Sequence, residues 1–429
     1  MTTPEVRIGM LGCGTVGGAV ARMLSEHGED IERRAGVRLR IARAAVRDPG
    51  RERDVPLPAD AFTTDGASIV DDPDIDVVLE LLGGLEPARA FLLRALGGGK
   101  PVVTANKELL AEAGKQLFDA ADSTGRDLRF EAAVAGGIPL IAPLKESLAG
   151  ERIARVLGIV NGTTNYVLTQ MSDRGSTFDE ALADAQRLGY AEANPTADID
   201  GFDAAAKCAI LASIAFNTRV VGGDVYREGI AGVTPQDIAD ATRLGYVVKL
   251  LAIAELEDGE VSARVHPAMI PASHPLASVR DAFNAVFVEG AKVGQLMFYG
   301  RGAGGDPTAT SVVGDLVAVA RNLAFGGRAI GCTCALDLPI RSMDHTTGQY
   351  YLNLDVEDRP GVLAEIAEAF GRNGVSIERV WQEGFGEEAT LVFITHRARE
   401  GAFQDAVAEL RGLPSVRAVA SMLRVEGEE

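Results

Sequence analysis

A glycine-rich turn close to the amino terminus constrains the fold of this chain more than any other feature. Residues 6–11 form a short apolar run, GCGTVG follows at 12–17, and an apolar-periodic segment continues to about residue 24. This is the pattern G-x-G-x-x-G between a predicted strand and a predicted helix. There Gly12 makes the tight turn, Gly14 lets the backbone approach a pyrophosphate, and Gly17 lets helix and strand pack closely. The context predicts a dinucleotide-binding α/β domain with a doubly wound parallel sheet.

The end of the second predicted strand bears on which dinucleotide would bind. This strand covers about 39–46 and is followed by Arg47, Asp48 and Arg51. An NAD-specific site usually has an acid here on the ribose hydroxyl, whereas an arginine suits a 2′-phosphate. The sequence therefore favours NADP over NAD, with a solvent-exposed loop arginine as the alternative interpretation.

A lysine marks the carboxyl end of a further predicted parallel strand at 101–105. The segment TANKE places Thr104 and Lys107 there, and doubly wound sheets bind ligands at this edge. The positive end of a helix disfavours a lysine in the first turn. Lys107 is therefore a candidate for contacting the cofactor or for placing a charge near the reacting centre.

The segment AQRLGYAEANPTADIDGFDAAAK at 185–207 gathers carboxylates around one lysine. The charged residues concerned are Glu192, Asp198, Asp200, Asp203 and Lys207. The Asn-Pro pair at 194–195 interrupts any helix, and a new helix is predicted from Asp200 to Phe216. On that helix Asp203 and Lys207 are four residues apart and share a face. Such a group could bind a zwitterionic substrate and move a proton. The alternative is an aspartate N-cap followed by a surface ion pair.

Three further turns follow predicted strands and are rich in glycine or small polar residues. AGGIP at 135–139 follows a strand at 128–134 and precedes a helix to 148; its backbone could coordinate a cation or only bend. NGTTN at 161–165 follows a strand at 153–160 and could bind an amino-acid backbone or cap a helix. GAGGDPT at 302–308 opens an apolar helix at 312–323 and could cover a ligand or simply begin that helix with its proline.

The C-terminal region predicts a small βαββαβ module after a boundary near 338–348. Strands are expected at 350–357, 375–382, 389–396 and 416–424, with helices ending near 373–374 and covering 401–411. The sequence DRPGVL at 358–363 turns the first of these strands into the first helix.

Composition excludes several classes of function. The net charge of −19 argues against sequence-independent nucleic-acid binding. The chain has no run of about 18 apolar residues and no signal-peptide pattern, so a cytoplasmic protein without a membrane partner is expected. Cys332 and Cys334 are too close in the chain for an ordinary structural disulfide. They also lack a His or Cys cluster, so we predict core cysteines rather than a zinc site.

Taken together, these motifs resemble the monofunctional homoserine dehydrogenases that carry a C-terminal ACT domain. GCGTVG, TANK, AVAGGIP, NGTTNY, the 185–207 segment and GAGGDPTA occur in the order of that family and span nearly the whole chain. No aspartate-kinase region precedes GCGTVG, so the bifunctional form is not expected. The resemblance implies NAD(P)H-dependent interconversion of L-aspartate 4-semialdehyde and L-homoserine. It also implies three domains: a Rossmann-type domain at 1–135 completed by a helix at 309–330, an α+β substrate and dimerisation domain at 136–308, and a ferredoxin-like ACT domain at 349–429.

The resemblance assigns roles to the residues that match the motifs of the family. It makes Lys207 the proton donor and acceptor at the substrate oxygen, and Lys107 a second active-site lysine. Substrate contacts are implied for Glu192 and Asp203 at the ammonium, for Asp198 in support, and for Tyr190, Thr163 and Gly162. Asp200 is expected only to cap the helix. Dinucleotide contacts are implied for Gly12, Gly14, Thr15, Val16, Gly17, Arg47, Thr104, Lys107, Gly189 and Gly305. A sodium ion would be bound, largely by backbone oxygens, at Glu131, Val134, Gly136 and Ile138.

The ACT domain implies regulation by an amino acid. Threonine is the expected effector, bound between paired domains of a homodimer or homotetramer, and a module used only for oligomerisation is the alternative. Two other functions would fit parts of the sequence: a dehydrogenase for another small amino or hydroxy acid, and a catalytically silent amino-acid sensor. The two lysines together with the acids argue against the sensor. No cysteine lies at a strand–helix turn suited to an acylating semialdehyde dehydrogenase.

Overall fold

Strands and helices alternate along the first third of the chain, as the glycine-rich turn predicts. The structure is a computed structural model and describes residues 3–384 and 389–427. The strands in chain order are β1 (Glu5–Leu11), β2 (Arg38–Ala45), β3 (Phe62–Thr63), β4 (Val77–Glu80), β5 (Val102–Thr104), β6 (Leu128–Arg129), β7 (Ile153–Ile159), β8 (Tyr226–Arg227), β9 (Tyr246–Glu257), β10 (Glu260–Pro271), β11 (Phe283–Gly290), β12 (Gly294–Arg301), β13 (Thr347–Val356), β14 (Ile377–Glu383), β15 (Thr390–Thr395), β16 (Ala398–Arg399) and β17 (Val416–Val425). The α-helices in chain order are α1 (Thr15–Glu26), α2 (Gly28–Ala35), α3 (Gly66–Asp71), α4 (Ala88–Gly97), α5 (Lys107–Thr124), α6 (Gly162–Arg174), α7 (Phe178–Arg187), α8 (Thr196–Ile199), α9 (Phe202–Ala215), α10 (Pro235–Arg243), α11 (Gly305–Phe325), α12 (Val362–Arg372) and α13 (Glu400–Arg411).

The chain forms two compact units, each assembled from separated segments. The first combines Met1–Val156, Ala206–Asp224 and Phe283–Leu338, and the second combines Leu157–Ala205, Val225–Ala282 and Pro339–Glu429. Because the units are discontinuous, they do not correspond one to one with the predicted domains 1–135, 136–308 and 349–429, whose bounds stay predictions.

The first unit contains a parallel sheet in the order β3-β2-β1-β4-β5-β6, which confirms the predicted doubly wound α/β class. Residues of α11, including Val312 and Leu316, pack into the same apolar core as Ile8 of β1 and Val20 of α1. This helix follows the GAGGDPT loop and lies far along the chain from the strands that it covers. The core of the nucleotide-binding region is therefore completed by a distant segment.

The second unit contains a mixed sheet in which β9, β10, β17, β13, β15 and β14 are neighbours in that order. The predicted βαββαβ module is confirmed as β13-α12-β14-β15-α13-β17, with a core that includes Leu354, Phe370 and Phe393. Its edge strand β17 pairs in parallel with β10, at Ala268–Arg424 and Met269–Val425. The small module therefore extends the β9–β10 hairpin through backbone hydrogen bonds.

Several predicted elements differ from those observed. The strand predicted at 128–134 pairs only over Leu128–Arg129 and then enters a 3₁₀ turn, and the helix predicted to 148 is a single π-type turn at Pro143–Ser147. The helix predicted from Asp200 to Phe216 is observed as α9, which begins two residues later at Phe202 and ends at Ala215, and the short helix α8 precedes it. Asp200 ends α8 as its C-cap residue, so its prediction as the cap of the next helix is wrong. Gly201 separates the helices at φ +79°, a left-handed conformation that interrupts a helix.

The prediction of core cysteines is also wrong for Cys332 and Cys334. Cys332 is exposed and Cys334 is half-buried, because the chain after α11 leaves the core and continues without a helix. Within the part of the chain that the structure describes, no helix is long and apolar enough to cross a membrane.

Candidate active site

The fingerprint loop between β1 and α1 has the geometry that its three glycines predict. Gly12 has φ +99°, and a Cβ atom there would lie 2.7 Å from the Leu81 carbonyl oxygen. A Cβ atom on Gly17 would lie 2.5 Å from the Gly12 carbonyl oxygen, whereas one on Gly14 would meet nothing within 4 Å. Two glycines are thus required by close packing, and Gly14 borders open space at the helix start. The N-terminal amides of α1, beginning at Thr15, can therefore face an anion.

The late glycine-rich loop begins beside this turn. A Cβ atom on Gly305 would lie 3.3 Å from Thr15 Cγ2, so the start of α11 packs directly against the start of α1. The turn at 135–137 meets the same loop, since a Cβ atom on Gly136 would lie 2.6 Å from the Gly302 carbonyl oxygen. The first unit therefore brings together three glycine-rich segments that are far apart in the sequence.

Arginines surround the end of β2. Arg47 follows that strand and is exposed, so its contact with a cofactor stays a prediction. Arg53 donates hydrogen bonds to the carbonyl oxygens of Arg51 and Asp48. Burial raises the pKa of the Cys13 thiol within the fingerprint, and the positive charges of Arg53 and Arg22 act in the opposite direction. Sequence spacing offered no signal for Arg22 or Arg53, whose approach to the loop depends on the fold.

A buried carboxylate organises the edge of the sheet that carries Lys107. Glu80 ends β4 and is fully buried, and its carboxylate accepts hydrogen bonds from the Leu82 and Gly83 amides and from Thr104 Oγ1. The predicted cofactor residue Thr104 is itself fully buried, so its hydroxyl is committed to this network. Glu80 was not predicted as a site residue, although an acid that closes an apolar strand, as in VVLE, is a signal that could have identified it.

The same network positions the start of α5. Thr104 Oγ1 accepts from the Asn106 amide at 3.0 Å, and Asn106 Nδ2 donates to the Gly84 carbonyl oxygen at 2.7 Å. Asn106 Oδ1 accepts from the Leu109 amide and so caps the helix, whose first residue is Lys107. The position of Lys107 at the carboxyl edge of the sheet is thus determined by a capped helix start.

The turn predicted to bind sodium is held by two buried acids. The Glu131 carboxylate accepts from the amides of Leu140, Ile141 and Ala142, and its own amide donates to Asp315 Oδ2 at 2.7 Å. Burial raises the pKa of Asp315 to about 7, and the nearby Glu131 carboxylate acts in the same direction. Asp315, which no sequence motif indicated, therefore joins α11 to the turn after β6.

Val134, Gly136 and Ile138 are buried in this turn. Ala135 between them adopts φ +51°, and the Ile138 amide donates to the Ala135 carbonyl oxygen at 2.7 Å. Across residues 3–384 and 389–427, no group of three or more His, Cys, Asp or Glu side chains is placed to bind a metal ion. A cation at this turn would therefore depend on backbone oxygens.

In the second unit, Asn161 joins two of the predicted substrate ligands. Its side-chain nitrogen donates to Asp198 Oδ1 at 2.7 Å and to Asp203 Oδ2 at 2.9 Å. Its side-chain oxygen accepts from the Thr164 amide and caps α6. The helix-cap alternative for the NGTTN segment is thus confirmed, and binding of an amino-acid backbone by this segment stays a prediction. The same side chain contacts two predicted ligands, although Asn161 was not among the predicted site residues.

Thr163 ties the first turn of α6 to the loop before α8. Its hydroxyl lies 3.0 Å from Asp198 Oδ2 and 2.7 Å from the Tyr190 carbonyl oxygen. Gly162 beside it has no room for a side chain, because a Cβ atom would lie 2.9 Å from the Ala282 carbonyl oxygen. The structure therefore brings Thr163, Asp198 and Asp203 together around Asn161.

The remaining predicted ligands lie on the loop after α7. Gly189 has φ +79°, and the Tyr190 ring packs on Tyr166 with ring centroids 5.0 Å apart. Glu192 is exposed, and its carboxylate makes no hydrogen bond or ion pair with any residue that the structure describes. Lys207 lies one turn after Asp203 on α9 and is only 8% exposed. Asp203 is thus prearranged by hydrogen bonds, whereas the Glu192 side chain lies in solvent.

Family models match this chain along most of its length. The matching models are "Homoserine dehydrogenase, NAD binding domain" at 12–131, "Homoserine dehydrogenase" at 139–317 and "ACT domain" at 350–415. The homoserine dehydrogenase of Corynebacterium glutamicum is 48% identical over 426 residues, which cover 98% of this chain and 96% of that protein. The chain belongs to the homoserine dehydrogenase family. As a member of this family it is an oxidoreductase with a dinucleotide-binding domain and an ACT domain, which confirms the resemblance inferred from its motifs.

Solved structures of the family agree with this fold. A homoserine dehydrogenase from Thiobacillus denitrificans is 42% identical and superimposes with a TM-score of 0.92, covering 99% of this chain and 98% of that one. A hyperthermophilic archaeal homoserine dehydrogenase in complex with NADPH is 28% identical with a TM-score of 0.64, covering 76% of this chain and all of that one. The family fold therefore extends over the whole chain, including the C-terminal module.

Proposed function

We propose that this chain catalyses the NAD(P)H-dependent interconversion of L-aspartate 4-semialdehyde and L-homoserine. The observation that carries the proposal is the hydrogen-bonded group of Asn161, Asp198 and Asp203, with Lys207 one turn further along the helix that begins beside Asp203. In a member of the homoserine dehydrogenase family, this group supplies anionic ligands for an ammonium and a lysine for proton transfer.

The aspartates are suited to a substrate that carries a positive charge. Asp198 and Asp203 both accept hydrogen bonds from Asn161, so the amide holds two like-charged groups in fixed positions. A bound ammonium would donate charge-assisted hydrogen bonds to these carboxylates, and such bonds are stronger than those between neutral groups. We assign Asp203 to the substrate ammonium, with Asp198 and Thr163 in support. Glu192 completes the site from its exposed loop, and Tyr190 and Gly162 border it.

Lys207 supplies the proton in the direction of aldehyde reduction. Reduction puts a proton on the substrate oxygen, and a positioned acid contributes roughly 10²–10⁴-fold to the rate. The ammonium form of Lys207 is the competent one for reduction, whereas oxidation of the alcohol needs the neutral amine to accept the proton. Lys107 at the capped start of α5 places a second positive charge at the edge of the sheet.

The dinucleotide would be held by the fingerprint loop and the segments around it. The open space at Gly14, with Thr15, Val16 and Gly17 beginning α1, suits a pyrophosphate. A bound nicotinamide dinucleotide would supply or accept the hydride. The arginines around β2 favour NADP over NAD through contact of Arg47 with a 2′-phosphate, and the archaeal relative solved with NADPH supports this preference. Gly189 and Gly305 are assigned to the loops that border the dinucleotide.

A sodium ion and an amino-acid effector are further parts of the proposal. Backbone oxygens of Glu131, Val134, Gly136 and Ile138 would hold the sodium ion, because the positive φ of Ala135 turns this backbone sharply. A comparison of thermal midpoints in NaCl and KCl at equal ionic strength tests it. The ACT module is assigned to threonine, bound between paired copies of a homodimer or homotetramer, in a cytoplasmic enzyme.

The decisive experiment is a spectrophotometric assay of homoserine oxidation with NADP⁺ and with NAD⁺, each with and without threonine. Turnover with higher kcat/KM for NADP⁺ is expected. A folded sample that turns over homoserine with neither cofactor contradicts the proposed activity. If threonine neither binds nor inhibits, the ACT module serves assembly only.

A further inference from the structure

A cavity of about 470 Å³ lies within the first unit and is lined by none of the residues assigned to substrate or dinucleotide. Its volume is in the range of pockets that bind small organic molecules. Leu110 and Gly114 of α5, Ile210 and Ile214 of α9, and Phe118 form part of an apolar wall. The cavity therefore has the apolar body of a ligand pocket, and its polar groups decide which ligand it suits.

Two cations in this lining form no salt bridge with a carboxylate among the described residues. Lys145 and Arg219 both line the cavity, and neither side chain makes a salt bridge or a side-chain hydrogen bond within 3–384 and 389–427. The third cation of the lining, Lys115, is paired with Asp119 one turn away on the same helix.

The ammonium of Lys145 lies near two aromatic rings and two thiols. It lies 5.6 Å from the ring centroids of both Phe118 and Phe130, which pack edge to face. Burial lowers the pKa of Lys145, while the charges of Cys332, Glu146 and Cys334 act in the opposite direction. Lys145 also acts on the thiols of Cys332 and Cys334, and hydrogen bonding with Cys334 lowers the pKa of Cys332 to about 6. The lining thus carries three cations, two carboxylates (Asp119 and Asp337) and two thiols, and Lys145 and Arg219 are its cations without a salt bridge to any described residue.

We propose that this cavity binds a small organic anion with an apolar body, its acidic group placed between Lys145 and Arg219 and its apolar part against α5 and α9. Both helices also carry residues assigned to catalysis, Lys107 at the start of α5 and Lys207 one turn before Ile210. A ligand in this cavity therefore shifts the positions of Lys107 and Lys207. The effect of that shift on catalysis rests on the proposed function. The site is separate from the ACT module, all of whose residues lie in the second unit.

Binding is tested on the full-length protein by calorimetry with 4-phenylbutyrate and with the uncharged 4-phenylbutanol. The carboxylate should bind at least about tenfold more tightly than the alcohol, since one hydrogen bond to a charged group accounts for such a ratio. Lys145→Met should remove this preference. The matched control Lys115→Met should change affinity by no more than about twofold, because Lys115 belongs to an exposed ion pair. Equal binding of the two compounds, or binding of neither to the folded wild type, overturns the proposal.

A cavity-filling variant separates this site from others. A Cβ atom on Gly114 would come no closer than 3.9 Å to Phe118, so Gly114→Leu adds a side chain to the cavity without a backbone clash. Leucine also has the better helix propensity. This variant should fold, lose phenylbutyrate binding and keep homoserine turnover. Saturating phenylbutyrate should change kcat or KM in the wild type and not in Gly114→Leu; an equal effect in both overturns the coupling to the lysines. If homoserine is not a substrate but binding depends on Lys145, the proposed function fails and the anion site stands.

Discussion

The side-chain amide of Asn161 donates a 2.9 Å hydrogen bond to Asp203 Oδ2. The same nitrogen donates to Asp198, so one neutral group separates and orients two carboxylates. Asn161 also caps α6 through its oxygen. A residue that the sequence placed only in a turn suited to binding an amino-acid backbone or capping a helix therefore positions the proposed ammonium ligands.

Replacement of this amide by a carboxylate should weaken substrate binding. Asn161→Asp retains the oxygen that caps α6 but places a third negative charge where two carboxylates accepted hydrogen bonds. The loss of a charge-assisted hydrogen bond costs about 1.5–3 kcal/mol, so KM for homoserine should rise roughly tenfold to a hundredfold. KM, kcat and the thermal midpoint are measured together. An unchanged KM in a variant of unchanged stability would show that Asn161 does not position Asp203 for substrate.

Removal of the Lys207 ammonium should slow chemistry rather than binding. Lys207→Met keeps most of the buried side-chain volume and should lower kcat by about 10²–10⁴-fold, the usual contribution of a positioned acid or base. Affinity for NADP⁺, measured by fluorescence titration, should stay within about twofold. Lys115→Met on an exposed face of α5 is the control. Near wild-type kcat in Lys207→Met would exclude its role in proton transfer.

Cofactor choice should depend on the exposed arginine after β2. Arg47→Ala removes the guanidinium assigned to the 2′-phosphate, and an exposed charge-assisted contact of this kind is worth about 1–2 kcal/mol. The ratio of kcat/KM for NADP⁺ to that for NAD⁺ should therefore fall about tenfold, with little change for NAD⁺ itself. Arg33→Ala, an exposed arginine paired with Asp30, is the matched control. If kcat/KM falls by the same factor for NADP⁺ and for NAD⁺, Arg47 does not contact the 2′-phosphate of the ribose.

Asp315 should make the protein less stable as the pH rises from about 4 to neutrality. Its pKa in the folded protein is raised from 3.8 to about 7, mainly by burial. The folded state therefore binds this proton more tightly than the unfolded chain, and stability falls between about pH 4 and pH 7. Asp315→Asn keeps an oxygen for the Glu131 amide and should abolish this loss. At pH 8 the variant should unfold at a higher temperature than the wild type, by the equivalent of about 1–4 kcal/mol, with little difference near pH 4. A pH profile identical to that of the wild type would contradict the assignment.

Arg424 should couple the ACT module to the segment that follows β8. This buried arginine of β17 donates to Glu400 of α13 at 2.7 and 2.9 Å and to Glu228 at 2.8 Å. Arg424→Met leaves two acids without their cation and should destabilise the protein by about 3–5 kcal/mol. Any inhibition by threonine should be weaker in Arg424→Met than in the wild type. Arg372→Met, which breaks an exposed pair with Glu409, should alter neither the thermal midpoint nor inhibition; equal effects of the two substitutions would argue against coupling through Arg424.

Local rules of the backbone account for what was predicted correctly. The fingerprint turn and the βαββαβ module each depend on glycine conformation or periodicity within a short stretch, so their residues could be assigned from the sequence. The capped start of α5 was not predicted, because a lysine in the first turn of a helix was disfavoured, yet Lys107 is the first residue of that helix. The predictions of secondary structure were less accurate where contacts with distant segments of the chain determine the local conformation. The helix expected from Asp200 begins only at Phe202, because Gly201 adopts a left-handed conformation, and a Cβ atom there would lie 3.2 Å from Arg227. The long strands β9 and β10 are buried along nearly their whole length, so they lack the alternation that identifies a strand.

The sequence by itself determined the class of the chain, because its motifs specify local conformations and residue types that tertiary packing did not change. Only the tertiary structure decided which of those residues meet. It placed Asn161 between Asp198 and Asp203, brought the start of α11 against the fingerprint helix, and buried Asp315 against the turn at Glu131. These contacts join residues that are 37 to 290 positions apart. No periodicity or spacing encodes such pairs, since they arise from the burial of apolar surface by the whole fold.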